Sequence, residues 1–362
     1  MNGIKAVLIA AGLLGIFLTT GHLRAEEKLS PAPEGSFSIV VIPDTQAYHG
    51  KGTKRMEDST DPLTNAVFQA HVDWIARNLG SQKIAFVSHV GDIVDKNQPD
   101  QWELAVTCMD VIHGKVPYGI SVGNHDMTSA GDSSLFQQSF PKARFEKFDW
   151  YGGCYAGSPK GVMFSGNNAN SYQLFSAGGT DFLFLHLECN APDDVLEWAN
   201  QILRQYPQRT ALITSHMGWG PETRPKVNKE FQTLPKGRMQ WAKIHKERGN
   251  TPQQMWEKCY RHHSNLLAVF SGDQSRSQAI RAATPGEHGN VIHEFLQDYM
   301  QEASQGGWLR LYRFLPAEHK VQVFTFRPTT EVLCEGTKLV SDRGQHQFEF
   351  PWNPSGTATS QQ

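Results

Sequence analysis

Five short apolar segments of the sequence are each followed by residues that can bind a divalent metal ion. These residues are Asp44 and Gln46, Asp92, the Asn124-His125-Asp126 tripeptide, His216, and Asp273 with Ser275. Carboxylates, amides and imidazoles are the side chains that proteins use to hold such ions. In an open α/β sheet, ligands bind outside the carboxyl ends of the strands. The spacing therefore predicts one metal-binding crevice built from five strand ends.

A pair of metal ions about 3.5–4 Å apart would give these residues a common chemistry. Such a pair can hold a phosphate ester, generate hydroxide from bound water and stabilise both ends of an in-line displacement. The arrangement needs one carboxylate that bridges the two ions, further ligands on each ion, and an acid near the leaving group. The residue types therefore favour hydrolysis of a phosphate ester.

The elements that must position these residues alternate along the chain. Short apolar runs predict strands over 37–42, 83–90, 116–122, 180–187, 210–215 and 266–272. Amphipathic patterns predict helices over 63–79 and 193–203. The alternation indicates an α/β layered fold, and two later runs, 307–315 and 320–328, predict an added antiparallel hairpin. The segments 141–168 and 217–235 are rich in Gly, Pro and polar residues, which predicts functional loops.

The composition is that of a globular protein, with 39% hydrophobic residues and a net charge of -2 over 362 residues. This charge gives no reason to expect a nucleic acid or an acidic membrane surface as partner, and we expect a small phosphorylated substrate. The cysteines are odd in number, without a CxxC pattern: Cys108, Cys154, Cys189, Cys259 and Cys334. One or two disulfides and buried free thiols both remain open.

The first residues have the pattern of a secretory signal peptide. Lys5 precedes an apolar run over 6–18, and Leu23-Arg24-Ala25 is an acceptable cleavage site. We expect a secreted or periplasmic protein, with an N-terminal membrane anchor as the alternative. The predicted organisation is a signal peptide over 1–25, an extended lead-in over 26–36, one domain over 37–351 and a flexible tail over 352–362.

The succession PDTQ, GDIVD, GNHD, SHMG and SGDQS resembles the calcineurin-like metallophosphoesterases. Their usual pattern is DxH, GDxxD, GNHD or GNHE, a lone His, and GHxH. The resemblance implies a four-layered α/β/β/α sandwich with a dinuclear metal centre. Lys96-Asn97 stands where phosphoprotein phosphatases have Arg-Gly, and Asp95 stands where purple acid phosphatases have Tyr, so both branches are disfavoured.

The resemblance also implies a role for each residue. Asp92 would bridge the two ions, Asp44 and Gln46 would bind the first ion, and Asn124 and His216 would bind the second. His125 would be the general acid near the leaving group or a phosphate contact, oriented by Asp126. Asp95 would support the ligands without binding metal.

Two histidines of the family pattern are missing, because Gln46 occupies the DxH position and Asp273 and Ser275 occupy the GHxH positions. The second ion would then have the ligands Asp92, Asn124, His216 and Asp273. The first ion would have Asp44, Gln46, Asp92 and Ser275, a set without an imidazole. Such hard oxygen donors suit Mg²⁺, Mn²⁺ or Ca²⁺ better than zinc or iron. We therefore predict unequal sites, of which the first is the weaker.

The function that these residues favour is metal-dependent hydrolysis of phosphate mono- or diesters. Arg276, His49 and Trp219 are candidate substrate contacts, with Arg224 beside Trp219 at the rim. One alternative is a catalytically weakened family member that binds a phosphorylated ligand or a single metal without turnover. A carbohydrate-binding domain that uses loop aromatics is a further, weakly supported reading. The substrate, the choice between mono- and diesters, and the oligomeric state are left open.

Overall fold

The computed structural model describes residues 26–128, 130–157, 165–219, 244–245 and 248–353. The predicted signal peptide, Arg224 and the end of the predicted tail lie outside the described residues. The strands are β1 (Phe37–Ile42), β2 (Ile84–His89), β3 (Tyr118–Ile120), β4 (Tyr151–Cys154), β5 (Ser171–Ala177), β6 (Thr180–Leu187), β7 (Thr210–Ser215), β8 (Leu266–Ser271), β9 (Ala279–Pro285), β10 (Val291–Gln297), β11 (Leu309–Leu315), β12 (Lys320–Phe326) and β13 (Gln347–Pro351). The α-helices are α1 (Ala66–Asn78), α2 (Pro99–Asp110), α3 (Ser134–Ser139), α4 (Lys142–Phe145), α5 (Asp193–Gln205) and α6 (Pro252–Lys258).

The strands form two mixed sheets. The six-stranded sheet has the order β13-β12-β11-β1-β2-β3, in which β1, β2 and β3 are parallel. The seven-stranded sheet has the order β4-β5-β6-β7-β8-β10-β9, in which β6, β7, β8 and β10 are parallel. The seven-stranded sheet therefore has a parallel centre and antiparallel edges, whereas in the six-stranded sheet the parallel strands form one side and the antiparallel strands the other.

The two sheets pack face to face over an aromatic core. Phe86 of β2 stacks on Phe175 of β5 with ring centroids 4.7 Å apart, and Phe270 of β8 meets the edge of Tyr312 of β11 at 4.9 Å. A second apolar cluster joins the first sheet to α1–α4, and a third joins the second sheet to α5 and α6. The result is the predicted four-layered α/β/β/α sandwich, because each sheet buries one face against the other sheet and one against helices.

The structure locates elements that the sequence patterns missed or misplaced. The predicted loop over 141–168 contains helix α4 and strand β4, whose short lengths leave little periodic signal. The predicted flexible tail begins at Trp352, but the indole of this residue is buried and meets the ring of Phe314 edge-on at 4.9 Å. The packed domain therefore extends through Trp352. The predicted hairpin over 307–328 is confirmed as β11 and β12.

The five cysteines are all free, and four of them are buried. Of the two possibilities left open by the sequence, the structure shows the free thiols. Within the described parts of the chain, every helix falls short of the length and hydropathy needed to cross a bilayer.

Two histidines are buried in the core in the neutral form. His186 lies between the sheets, where Ser88 Oγ is 2.9 Å from its Nε2 and Gln173 Oε1 is 2.7 Å from its Nδ1. His71 of α1 has no hydrogen-bond partner among the described residues for either ring nitrogen. Burial lowers the pKa of each imidazole to about 3. Protonation of either imidazole therefore opposes folding in acid, and this cost is absent at neutral pH.

We expect His71→Leu to gain stability relative to the wild type as the pH falls. The folded-state pKa of His71 lies below the unfolded value, so its contribution is intact above pH 6.5 and is lost as the pH falls towards about 3. Between pH 7.5 and pH 5 the difference in unfolding free energy should move by about 2 kcal/mol in favour of the variant. Urea titrations of both proteins at the two pH values measure this shift. A difference independent of pH would show that the imidazole protonates freely in the folded state.

Candidate metal centre

The site lies where the carboxyl ends of parallel strands from both sheets meet. Asp44, Asp92 and Asn124 follow β1, β2 and β3 of one sheet, and His216 and Asp273 follow β7 and β8 of the other. One ligand atom from each of Asp44, Asp92 and His216 lies within 4.8 Å of the other two, and all three residues are buried. The structure therefore brings together residues that are widely separated in the sequence, and these three can hold a metal ion.

Two aspartates with positive φ angles and two closely packed glycines shape the backbone of the site. Asp92 and Asp273 both adopt positive φ angles, 51° and 69°, which place each carboxylate at a sharp turn after its strand. The left-handed conformation is uncommon for a residue other than glycine, and costs on the order of 1–3 kcal/mol. A Cβ atom at Gly123 would overlap the backbone of Asp92, and one at Gly272 would overlap Asp44 Oδ1. Glycine at these positions lets the loops approach one another closely.

His216 is oriented for ligation through its Nε2 atom. Its Nδ1 lies 2.9 Å from the carbonyl oxygen of Val90, which can only accept, so Nδ1 carries the proton. Nε2 then faces three oxygens, at 3.1 Å from Asp92 Oδ1, 3.1 Å from Asn124 Oδ1 and 3.8 Å from Asp273 Oδ1. A backbone carbonyl that fixes the tautomer is a common arrangement for a metal-binding histidine. These are the four residues predicted for the second ion.

The predicted first ion has a less complete set of ligands. Gln46 Nε2 donates a 2.8 Å hydrogen bond to Asp92 Oδ2. Asp44 Oδ1 and Gln46 Oε1 are both buried without a hydrogen-bond partner among the described residues. Buried oxygens are normally satisfied, so two such atoms together fit the requirement for a cation. Ser275 is directed elsewhere, since its Oγ accepts a 3.3 Å hydrogen bond from the exposed Gln301.

The carboxylates of the site repel one another in the absence of metal. Burial, together with neighbouring carboxylates, raises the pKa of Asp44 well above its usual value and that of Asp273 to about 7. Burial also opposes ionisation of Asp92, but the charges of His216 and His125 and the hydrogen bonds from both residues together outweigh it, and the pKa of Asp92 is lowered. Burial disfavours the charged form of His216 in turn, while Asp92 and Asp44 raise its pKa well above the usual range. Divalent cations would supply the positive charge that lets all these carboxylates ionise together.

His125 lies at the solvent side of this group. Its side chain is 25% exposed, and its Nε2 is 3.9 Å from Asp92 Oδ2. The backbone N–H of His125 donates a 2.9 Å hydrogen bond to Asp92 Oδ1. Asp126 does not contact the imidazole, because its carboxylate accepts hydrogen bonds from the backbone N–H groups of Gly123, Ile93 and Val94. Asp126 therefore holds the two loops together and positions His125 through the backbone.

Two residues near the site were not predicted from the sequence. Lys54 has its Nζ 2.7 Å from His125 Nδ1, and its backbone N–H donates to Asp95 Oδ2 at 2.7 Å. No local pattern marks it, because it lies in a long loop after β1. Asp298 is buried directly after β10. The apolar run before Asp298 could have predicted this residue, because the other candidate ligands were predicted from their position directly after an apolar run.

The predicted substrate contacts lie in different environments. Arg276 and His49 are exposed, and the backbone of His49 pairs with that of Thr64. The indole of Trp219 is 1% exposed and packs against Ile280 and Leu296. Its packing is that of a core residue, so access to substrate would require it to move. The aromatics at 150 and 151 also pack against an apolar cluster, which leaves little support for carbohydrate binding.

The fold and the strand-end site are those of a two-sheet α/β/β/α protein with a metal-binding crevice. The family model described as calcineurin-like phosphoesterase matches residues 37–243, more than half of the chain. The chain belongs to the calcineurin-like phosphoesterase family. The prediction drawn from the five motifs is thereby confirmed at the level of the family.

A curated relative is the uncharacterized protein YvnB of Bacillus subtilis (strain 168), which is 27% identical over 333 residues. The match covers 90% of this chain and 22% of YvnB, so the chain spans about a fifth of its relative's length.

Solved structures with a similar fold include the purple acid phosphatase PPD1 from yellow lupin (Lupinus luteus), with a TM-score of 0.50 and 12% identity over 90% of this chain and 55% of that one. The 5'-nucleotidase precursor from Thermus thermophilus matches with a TM-score of 0.45 and 10% identity over 88% of this chain and 55% of that one. At these identities the likeness concerns the fold alone.

Proposed function

We propose that this protein is a metal-dependent hydrolase of phosphate mono- or diesters. The observation that carries the proposal is the buried group of Asp44, Asp92 and His216, with His125 at its solvent side. Buried carboxylates and an imidazole provide ligands, and a partly exposed imidazole beside them can reach a substrate. Membership in a phosphoesterase family supports the same reaction class.

The proposed site residues have two roles, metal binding and proton transfer. Asp92 would bridge the two ions, with Asp44 and Gln46 on the first and Asn124, His216 and Asp273 on the second. When bound, the ions supply Lewis-acid stabilisation of the phosphoryl oxygens and a water molecule of lowered pKa. His125 would donate a proton to the leaving group, an effect typically worth about 10²–10⁴-fold in rate.

We further propose that the two ions differ in affinity and are Mn²⁺, Mg²⁺ or Ca²⁺. The first set contains carboxylate and amide oxygens without an imidazole, which is typical of sites for these hard cations. Metal analysis of protein purified without added metal tests this. At most one tightly held equivalent is expected, and two equivalents of tightly held zinc would contradict it.

The competing function is a family member that binds a phosphorylated ligand without turnover. The position of His125 favours the enzyme, because a binding protein has little need of an imidazole beside the bridging carboxylate. Hydrolysis of p-nitrophenyl phosphate and bis-p-nitrophenyl phosphate should be measured with Mn²⁺ added and with a chelator. We expect metal-dependent release of p-nitrophenol from at least one ester. Binding of phosphate without turnover of either ester would favour the alternative.

Lys54 is predicted to bind the phosphoryl group of the substrate. Its ammonium and the carbonyl oxygen of Asp95, at 2.7 and 2.9 Å, compete for the same ring nitrogen of His125. The ammonium can therefore move to an anionic substrate. A charge-assisted hydrogen bond contributes about 1.5–3 kcal/mol, so Lys54→Ala should raise KM by ~10-fold or more. The matched control is Lys51→Ala, an exposed lysine of the same loop, which should leave KM unchanged.

A further inference from the structure

A series of hydrogen bonds through the imidazole of His89, at the end of β2, connects the two loops that carry Asp44, Gln46 and Asp92. The backbone N–H of Gly91 lies 3.1 Å from His89 Nδ1, and Thr45 Oγ1 lies 3.0 Å from His89 Nε2. Thr45 Oγ1 is in turn 3.3 Å from the carbonyl oxygen of Ile93. We call the four residues Gly91, His89, Thr45 and Ile93 the His89 network. The side chains of His89 and Thr45 are both buried, so bulk water does not compete for these bonds.

The groups at the two ends of the His89 network fix the direction of each bond. A backbone N–H can only donate, so His89 Nδ1 is an unprotonated acceptor and the ring is neutral, with its proton on Nε2. Nε2 therefore donates to Thr45 Oγ1. The hydroxyl of Thr45 then donates to the carbonyl oxygen of Ile93, which can only accept. Both ring nitrogens of His89 are used in this way, so the imidazole supports the site without binding metal.

The ends of the His89 network are the residues directly before and after Asp92, the proposed bridging ligand. Its inner member Thr45 is the residue between Asp44 and Gln46, the proposed ligands of the first ion. Asp92 has a positive φ angle of 51°, and such a conformation persists only where the surrounding structure enforces it. The network therefore restrains the backbone on both sides of the bridging carboxylate and between the two ligands of the first ion.

The hydroxyl of Thr45 completes the attachment of this residue. Its backbone N–H donates a 3.0 Å hydrogen bond to the carbonyl oxygen of Asp92, and its carbonyl oxygen accepts a 2.6 Å hydrogen bond from Asn65 Nδ2. Asp44 and Gln46 share this backbone, so a rotation at Thr45 would displace both side chains. Gln46 must stay within hydrogen-bond distance of Asp92, to which its Nε2 donates at 2.8 Å. The position of Thr45 therefore affects how well these ligand atoms converge.

We infer that His89 and Thr45 are positioning residues of the metal centre, which align Asp44, Gln46 and Asp92 through the His89 network. The inference rests on the proposed function, since it concerns the same metal centre. It gives a role to a histidine that lies inside a strand and to a threonine that lies between two ligands. Neither residue contacts the substrate or a metal ion in this role.

The test is Mn²⁺ binding to Thr45→Val, measured by isothermal titration calorimetry on metal-free protein. Valine keeps the shape of threonine but lacks the hydroxyl, so it interrupts the His89 network while the backbone hydrogen bonds of residue 45 remain. Loss of a group that supports metal ligands typically costs about 10–100-fold in metal affinity, so the variant should bind Mn²⁺ ~10-fold or more weakly. Thr45→Ser keeps the hydroxyl and should bind Mn²⁺ like the wild type. The matched control is Thr210→Val, at a buried threonine at the amino end of β7, the end of the strand far from His216, and it should also bind like the wild type.

A double-mutant cycle tests whether the two residues act together. His89→Asn presents an oxygen near the position of Nδ1, which can accept the Gly91 N–H, but it removes the donor to Thr45. Both single variants interrupt the same link, so the combined variant should weaken Mn²⁺ binding by much less than the product of the two single effects. Effects that multiply in the combined variant would overturn the inference.

Thermal unfolding separates positioning from general stability. The rise in Tm that Mn²⁺ produces should shrink in Thr45→Val and keep its wild-type size in Thr210→Val, because this rise depends on metal affinity. A lower metal-free Tm with an unchanged Mn²⁺ affinity would assign Thr45 to the stability of the fold alone and would overturn the inference. Equal Mn²⁺ affinities in Thr45→Val, His89→Asn and the wild type would do the same. A wild-type protein that binds no Mn²⁺ would instead defeat the proposed function, and the inference with it.

Discussion

Replacing Asp92 with Asn is expected to abolish hydrolysis and to remove the metal from the site. Asp92 Oδ1 lies 3.1 Å from His216 Nε2 and accepts the N–H of His125, and Oδ2 accepts a hydrogen bond from Gln46. The carboxylate therefore touches a member of each proposed ligand set and the proposed acid. Loss of a single preorganised electrostatic group costs about 10²–10³-fold in kcat, and loss of a bridging charge should cost at least that much.

The measurement is kcat/KM for p-nitrophenyl phosphate together with the metal content of the purified variant. Both should fall, because asparagine keeps the shape of the side chain but cannot bridge two cations. The matched control is Asp181→Asn at the amino end of β6, an exposed carboxylate at the opposite end of the sheet from the site. It should retain both activity and metal. Undiminished activity in Asp92→Asn would refute the metal mechanism.

Replacing His125 with Asn should lower kcat by about 10²–10⁴-fold while the metal content stays unchanged. The imidazole is partly exposed, and its Nε2 approaches Asp92 only to 3.9 Å. It is therefore placed to face the substrate rather than to ligate an ion. The size of the loss should depend on the leaving group. Phenyl phosphate, whose leaving group needs a proton, should lose more activity than p-nitrophenyl phosphate, whose leaving group departs as an anion.

The comparison of the two esters also distinguishes the two roles open to His125. A residue that only binds the phosphate would affect both esters equally and would act mainly through KM. His262→Asn, which alters an exposed histidine paired with Glu287, serves as the control and should leave both esters unaffected. An equal loss for the two esters would assign His125 to phosphate binding.

The predicted strands and their terminal residues were recognisable because each is a local pattern. β1, β6 and β7 have the predicted bounds, since a buried strand is a continuous apolar run and its end is marked by a polar residue. The short elements β4 and α4 were missed because four residues carry too little periodicity. Strands β9 and β10 were missed together, and with them Asp298.

By itself the sequence determined the layered α/β class, the family resemblance and the residue types that supply oxygen and nitrogen donors. These depend on runs of neighbouring residues, which a single chain displays directly. Only the tertiary structure decided which donor atoms remain free and which distant residues join them. Lys54 and His125 are 71 residues apart, and Val90 orients His216 across 126 residues. Such contacts depend on how two sheets pack, and no local pattern records that packing.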